Sequence, residues 1–255
     1  MRTVLLSAAL LPLLLTGCKT DNAIRKGAVV DHGNEVKYDP APNAASTGTV
    51  TGTVQFAGTP PARVPIDMSQ DPACSLAGQP NLSEQVIVDH GHLANVFVYV
   101  KGAPHLKAPA APVVIDQHGC RFQPHVIAVA AGGAVEFRNS DPAMHNVHSM
   151  AVQAGNRNID LSQGPGAKPE QLFYRDAENM IPVRCNNHPW MNAFINVAPS
   201  VFFAVTAPDG SFTISGLPQG TYDVVFVHEK LGEQHMQVSI KPQTSTAVTV
   251  TYKAQ

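Results

Sequence analysis

The sequence runs Cys185-Asn186-Asn187-His188-Pro189-Trp190-Met191 on a predicted loop between two apolar strands, Ile181–Arg184 and Phe194–Val197. This loop carries a thiol, an imidazole and a thioether at intervals of three residues. Copper accepts both nitrogen and sulfur ligands, so this donor set suits it. Zinc sites use four strong ligands, and a thioether is a poor one for zinc. The loop therefore predicts a copper site that needs one more imidazole from elsewhere in the chain.

The rest of the chain has the composition and patterning of an all-β protein. Its 255 residues are 44% hydrophobic and 14% charged, enough for one large or two ordinary domains with cores. Apolar and polar residues alternate in Val50–Phe56, whereas Asn95–Val100 is apolar on both faces and predicts a central strand. Similar short runs follow, separated by turns such as Gly132-Gly133. We expect helical turns only near Ser83–Gln85 or Pro169–Asp176.

The second imidazole is expected from the segment Asn139-Ser140-Asp141-Pro142-Ala143-Met144-His145-Asn146-Val147-His148. His145 and His148 are three residues apart, so in a strand they face opposite sides and only one of them can reach the metal. This segment and the Cys185 loop resemble cupredoxins of the plastocyanin/amicyanin type. In that family the last three ligands have the same short spacing, and the first ligand histidine begins a His-Asn-Val-His string. The resemblance covers roughly Val113 to Val197.

The resemblance implies a single mononuclear type 1 copper site. It assigns His145, Cys185 and His188 as equatorial ligands and Met191 as a weak axial ligand. It further implies that His145 comes from the sheet opposite the ligand loop, and that His188 lies near the surface as the electron port. Asn146 is the candidate residue behind the ligands, with a side chain that hydrogen-bonds the ligand loop.

A second resemblance concerns the two ends of the chain. Gly48–Val54, together with Ala204–Ile214 and Leu217–Tyr222, resembles carboxypeptidase regulatory-like β-sandwich domains. We therefore predict such a sandwich from residues 48–102 and 199–255. The expected fold is a Greek-key cupredoxin β-sandwich, residues 103–198, inserted in or fused to it. One enlarged sandwich without a separable insert is the alternative.

The first residues predict export and lipid anchoring. Arg2, the apolar run Val4–Leu15 and the lipobox-like Leu15-Thr16-Gly17-Cys18 are typical of a lipoprotein signal peptide at residues 1–17, with Cys18 as the lipidated residue. An ordinary secretory signal with a stray cysteine is the alternative. Residues 18–47 are interpreted as a flexible tether. Lys19, rather than Asp, favours a lipid-anchored protein of the cell envelope, at the outer membrane and facing the periplasm.

Three cysteines would then remain in an oxidising compartment, namely Cys74, Cys120 and Cys185. An odd number there predicts one disulfide and one thiol with another task. We pair Cys74 with Cys120 and leave Cys185 for the metal. On the domain prediction above, the disulfide links the insert to the base sandwich.

The ligand loop also suggests how a partner would dock. Pro189 and Trp190, with Met180 as a further candidate, are expected to form an apolar patch around His188, suited to the modest interfaces of transient redox complexes. Trp190 packed under the loop is an equally weighted alternative. The predicted partners are a redox protein, such as a c-type cytochrome or a periplasmic dehydrogenase, and the membrane through the lipid anchor. The net charge of −2 does not favour nucleic acid.

These features predict an electron carrier and not an enzyme. A copper oxidase or reductase would need a second copper site built from several additional His-x-His strings, whereas the sequence has a single one, His90-Gly91-His92. His228-Glu229 lacks the second histidine of a zinc-protease motif. Two alternatives remain, a non-redox scaffold or interaction lipoprotein and a copper-binding or delivery protein. The scaffold predicts lost ligands, and the delivery protein predicts more methionines.

Overall fold

The fold is described by a computed structural model for residues 37–75 and 81–254, so Cys18 and the predicted signal peptide lie outside the described residues. Its regular secondary structure consists almost entirely of short strands. In chain order they are β1 (Thr47–Ala57), β2 (Val88–Asp89), β3 (His92–Leu93), β4 (Phe97–Lys101), β5 (Val113–Gln117), β6 (Phe122–Gln123), β7 (Val126–Ala130), β8 (Ala134–Asn139), β9 (His145–Ser149), β10 (Asp160–Gln163), β11 (Glu170–Phe173), β12 (Glu178–Arg184), β13 (Asn192–Ala198), β14 (Phe203–Val205), β15 (Ser211–Pro218), β16 (Gly220–His228), β17 (Gly232–Ile240) and β18 (Ser245–Lys253). The predicted all-β class is confirmed.

Two sheets are built from strands at the two ends of the described chain. One has the order β15-β1-β3-β2, with β18 pairing in parallel to β1, and the other has the order β14-β4-β16-β17. β4 lies between two neighbours and is largely buried, as its apolar sequence predicts. A side chain at Gly52 would meet the Val248 carbonyl oxygen at 2.5 Å and the Phe212 ring at 2.7 Å. The bare glycine therefore permits the close packing of β1.

The other two sheets come from the middle of the chain. Their orders are β10-β9-β12-β13-β7 and β11-β8-β5-β6. Buried side chains of both sheets, Phe137 and Ile195 among them, form one apolar cluster that also contains Cys185 and Met191. Burial of this cluster is the main force that holds the two sheets face to face.

The described chain from Lys37 onward forms one compact unit. A small buried cluster, which includes Phe97, Ala128 and Val225, packs β4 and β16 against β7. The division into residues 48–102 with 199–255 and residues 103–198 stays a prediction, although each pair of sheets draws on one of these groups of strands.

Two local expectations were wrong. The segment Pro169–Asp176 contains β11, which pairs with β8, and Ser83–Gln85 has no helical turn because the Ser83 backbone pairs with Val64. Strand pairing supplies the hydrogen bonds that a helical turn would otherwise make. The α-helix of the described chain is α1, only four residues long at Pro72–Ser75, with a 3-10 turn at Ala44–Ser46.

The described end of the predicted tether is bound to the fold. Asp39 exchanges two hydrogen bonds with His105, one from each backbone N–H, and the Tyr38 ring stacks on the His105 ring with centroids 5.2 Å apart. Residues 37–47 are therefore fixed against their neighbours. Within the described part of the chain, no helix is long and apolar enough to cross a membrane.

The predicted disulfide between Cys74 and Cys120 is present. Cys74 lies on α1, in the connection between β1 and β2, and Cys120 lies in the turn between β5 and β6. The bond therefore fastens a long, mostly exposed connection to the pair of sheets that carries the predicted ligands.

Candidate metal centre

Three of the four predicted ligands converge in the interior. His145 begins β9, Cys185 follows β12, and His188 lies in the loop after it. The two Nδ1 atoms are 2.9 Å apart, and Cys185 Sγ lies 3.6 Å from His188 Nδ1. One donor atom from each residue lies within 4.8 Å of the others, and all three side chains are buried.

The sheet, and not a contact across two sheets, brings these ligands together. β12 runs antiparallel to β9, and Arg184 pairs with His148. The chain that continues past the end of β12 therefore runs beside the beginning of β9, and the backbone N–H of Asn146 donates to Cys185 Sγ at 3.3 Å. The expectation that His145 comes from the opposite sheet was wrong, because sequence does not reveal which strands are neighbours.

His145 and His148 do face opposite sides of β9. His145 is fully buried among the donors, whereas His148 is partly exposed and its Nδ1 lies 3.1 Å from the Asn186 side-chain oxygen. His145 is the histidine that reaches the cluster.

Backbone hydrogen bonds close the ligand loop. Met191 N–H donates to the His188 carbonyl oxygen at 2.9 Å, and Cys185 N–H donates to the Met191 carbonyl oxygen at 3.2 Å. Met191 is 1% exposed and packs in the same apolar cluster as Cys185. Met191 thus lies on the closed loop, and its role as axial ligand stays a prediction.

Asn146 connects the first ligand strand to the ligand loop. Its side-chain oxygen accepts from the Asn186 N–H at 3.3 Å, and its amide nitrogen donates to Asp160 at 2.6 Å. With its own N–H directed at Cys185 Sγ, Asn146 fixes the position of the thiol from both backbone and side chain.

A buried carboxylate holds the outer nitrogen of His145. Asp141 Oδ2 lies 2.8 Å from His145 Nε2, and Asp141 also accepts from the backbone N–H groups of Gly119 and Cys120 at 2.7 and 2.8 Å. Burial alone would raise the pKa of Asp141, but these hydrogen bonds outweigh it and lower the pKa. Asp141 is thus an ionised acceptor.

A second carboxylate holds the outer nitrogen of His188. Asp71 Oδ2 lies 2.9 Å from His188 Nε2, and Cys74 Sγ lies 3.8 Å from the same atom. The Trp190 ring covers another side, with its centroid 5.0 Å from that of His188. His188 is 3% exposed, so the expectation of a port at the surface was wrong. The connection between β1 and β2 covers this histidine.

The donors fit a cation. Ionised carboxylates only accept hydrogen bonds, so Asp71 and Asp141 require the protons of both rings on Nε2. Both Nδ1 lone pairs then face each other at 2.9 Å beside a sulfur atom. Such an arrangement is repulsive unless a proton or a metal ion lies between the donors. Two imidazoles and a thiolate, with a thioether on the same loop, are the ligand types of mononuclear type 1 copper.

The pKa values of His145 and Cys185 describe how protons occupy the donor atoms in the absence of a metal ion. Burial lowers the pKa of His145, but hydrogen bonds with Asp141 and Cys185 outweigh this effect and raise the pKa to about 9. Burial likewise raises the pKa of Cys185, and hydrogen bonds from His145 and from the backbone bring it down to about 7. Metal binding therefore competes with protons at both residues.

The predicted docking patch is only partly formed. Pro189 is exposed, whereas Trp190 is partly buried, packs against the core and donates from Nε1 to the Cys120 carbonyl oxygen at 3.2 Å. Met180 packs in the cluster with Phe97, away from the ligand loop. The part of the expected patch that included Met180 was therefore wrong, and the role of Pro189 and Trp190 in docking stays a prediction.

Comparison with known proteins gives weak similarities. No family model and no curated protein matches. The Cu-containing nitrite reductase from Thermus scotoductus SA-01 is 24% identical over 38% of this chain and 24% of that chain, with a TM-score of 0.31. This chain thus spans about a quarter of that protein. A methionine-to-alanine mutant of amicyanin, in its Cu(I) form, is 19% identical over 39% of this chain and 97% of that chain, with a TM-score of 0.30. A purple cupredoxin from Nitrosopumilus maritimus is 15% identical over 33% of this chain and 98% of that chain, with a TM-score of 0.28.

Proposed function

We propose that this protein is a type 1 copper protein that transfers one electron at a time between redox partners. The observation that carries the proposal is the convergence of His145, Cys185 and His188, with both outer ring nitrogens held by carboxylates. Met191, on the same loop, would complete the set of residues that hold the copper ion. Copper, when bound, supplies the Cu(I)/Cu(II) couple.

The residues around the ligands suit fast electron transfer. Asp141 and Asp71 fix the orientation of the two rings, and Asn146 fixes the thiol. Ligands that are held by the fold before the metal binds need little rearrangement when the charge of the metal changes. Burial of all three donors also excludes water from the site.

The further potential metal ligands of the described chain overlap the proposed site. The two further groups of potential ligands are Asp71 with Cys74 and His188, and Cys120 with Asp141 and His145. Each of them reuses a histidine of the proposed site, and each includes a disulfide sulfur. Neither supplies an independent second copper site. Complete burial of the donors also disfavours a delivery protein, because delivery needs ligands that a second protein can reach.

The setting of this function is also proposed. Lipidation at Cys18 would attach the protein to the outer membrane with the copper site facing the periplasm. A c-type cytochrome or a periplasmic dehydrogenase of compatible potential would exchange electrons with it, with Pro189 and Trp190 in the docking area.

The test is the colour of the copper-loaded protein. The chain from Lys19 onward, without the lipidated cysteine, should acquire an intense thiolate-to-copper absorption with one equivalent of Cu(II). Cys185→Ser and His145→Asn should abolish that absorption, and the matched variant His148→Asn should retain it. A colourless wild type would refute the proposal, and a coloured Cys185→Ser variant would refute the ligand assignment.

A further inference from the structure

Asp71 uses its two side-chain oxygens for different purposes. Oδ1 accepts from the Ala73 N–H at 2.8 Å and so caps the first turn of α1, while Oδ2 binds His188 Nε2 at 2.9 Å. The Asp71 carbonyl oxygen also accepts from the Cys74 N–H at 3.0 Å. The carboxylate is therefore held in one orientation before any metal binds.

The disulfide ties this carboxylate to the one behind His145. Cys74 lies three residues after Asp71, and its partner Cys120 donates its N–H to Asp141 Oδ2 at 2.8 Å. One covalent link thus connects the two segments that supply a carboxylate to the two histidines. Such a connection keeps Asp71 beside His188 although the two are 117 residues apart in sequence.

A carboxylate on the outer N–H of a ligand imidazole has a known physical effect. It fixes the tautomer and orientation of the ring and increases the basicity of the nitrogen that binds the metal. A more basic ligand, with a nearby negative charge, stabilises Cu(II) more than Cu(I), because the oxidised ion carries the larger positive charge.

We propose that Asp71 is a positioning residue for His188, which holds its ring in the Nε2–H tautomer and lowers the reduction potential of the copper site. The inference rests on the proposed copper function and deepens it. It places a determinant of the potential on the connection between β1 and β2, outside residues 103–198.

The experiment compares variants of two aspartates on the same connection. Asp71→Asn and Asp71→Ser remove the charge and retain a side chain able to cap α1. Asp67→Asn is the matched control, because Asp67 caps Ser69 N–H at 2.9 Å in the same way and faces no ligand. Both Asp71 variants should bind Cu(II) about 10- to 100-fold more weakly than the wild type and have a more positive reduction potential. Asp67→Asn should match the wild type in both.

A readout on the metal-free protein separates this inference from the copper function. Long-range ¹H–¹⁵N correlations of the imidazoles should show the His188 proton on Nε2 in the wild type and in Asp67→Asn. In both Asp71 variants the proton should redistribute between the ring nitrogens. A wild-type His188 protonated only on Nδ1, or Asp71 variants with an unchanged tautomer and potential, would overturn the inference. A wild type that binds no copper but has the expected tautomer pattern would refute the proposed function and the effect on the potential, while Asp71 would keep its positioning role.

Discussion

Copper affinity should depend on pH in two steps that the surroundings of His145 and Cys185 determine. Both residues must lose a proton before they can bind a metal. The pKa of His145 is raised to about 9 and that of Cys185 is lowered to about 7. Below pH 7 copper displaces two protons, between pH 7 and 9 it displaces one, and above pH 9 it displaces none.

The magnitudes follow from these numbers of protons. The apparent association constant should rise about 100-fold per pH unit below pH 7 and about tenfold per unit from pH 7 to 9, and it should then level off. Each tenfold step corresponds to about 1.4 kcal/mol of binding free energy. Between pH 7 and 9 the wild type should therefore gain about 100-fold in affinity.

Asp141→Asn provides the sharpest comparison. The variant removes the carboxylate that raises the pKa of His145, so this pKa should fall back towards its ordinary value of 6.5. The upper break should then move from about pH 9 to a lower pH, and the affinity should be lower overall because the ring loses its fixed orientation. Asp116→Asn is the matched control, since Asp116 accepts from the nearby Ser140 hydroxyl at 2.7 Å.

The assay is competition for Cu(II) with a chelator of known protonation constants from pH 5.5 to 10, monitored by the thiolate-to-copper absorption. A wild-type affinity that is flat from pH 7 to 9 would refute the reasoning. So would an upper break at the same pH in the wild type and in Asp141→Asn, because the carboxylate would then have no part in holding the proton on His145.

Three further predictions concern stability of the copper-free protein, measured by urea denaturation. Replacing Cys74 and Cys120 by alanine should lower the free energy of unfolding by about 4 kcal/mol, the chain-entropy value for a link across 46 residues; an unchanged midpoint would contradict it. Burial lowers the pKa of His228 to about 4. Below pH 6.5 this histidine is therefore protonated in the unfolded chain and stays neutral in the folded chain until about pH 4. Between pH 7 and 5 the free energy of unfolding of the wild type should therefore fall by about 2 kcal/mol more than that of His228→Gln. Equal decreases in both proteins would exclude His228 as the cause. Gly52→Ala should cost about 1–3 kcal/mol through overpacking, whereas Gly164→Ala, with no close neighbour, should cost much less.

The strands and the ligand loop could be predicted mainly from local sequence patterns. The alternation in Val50–Phe56 and the apolar run around β4 correspond to real strands, because side-chain burial on a sheet repeats every second residue. The ligand loop could be recognised for a similar reason, since Cys185, His188 and Met191 lie close together in the chain.

The missed features depend on contacts between distant segments. No local signal distinguishes Asp71 from the other aspartates of the chain, and only the fold brings it to His188. Asp141 had a weak signal, because it lies four residues before His145 in the same predicted ligand segment, Asn139–His148. The pairing of β9 with β12 could not be predicted either, since the order of strands results from the packing of whole sheets.

Because the connection between β1 and β2 covers His188, the predicted copper domain does not contain every residue that shapes the metal site. Residues 103–198 contain all four predicted ligands and Asp141, but not Asp71 or Cys74. If residues 103–198 were produced as a separate protein, His188 Nε2 would lack its carboxylate partner and Cys120 would lack its disulfide partner. Because the two carboxylates orient both rings, the ligand geometry depends on a connection that belongs by sequence to the other predicted sandwich. The boundary drawn from sequence similarity and the boundary of the metal chemistry are therefore different.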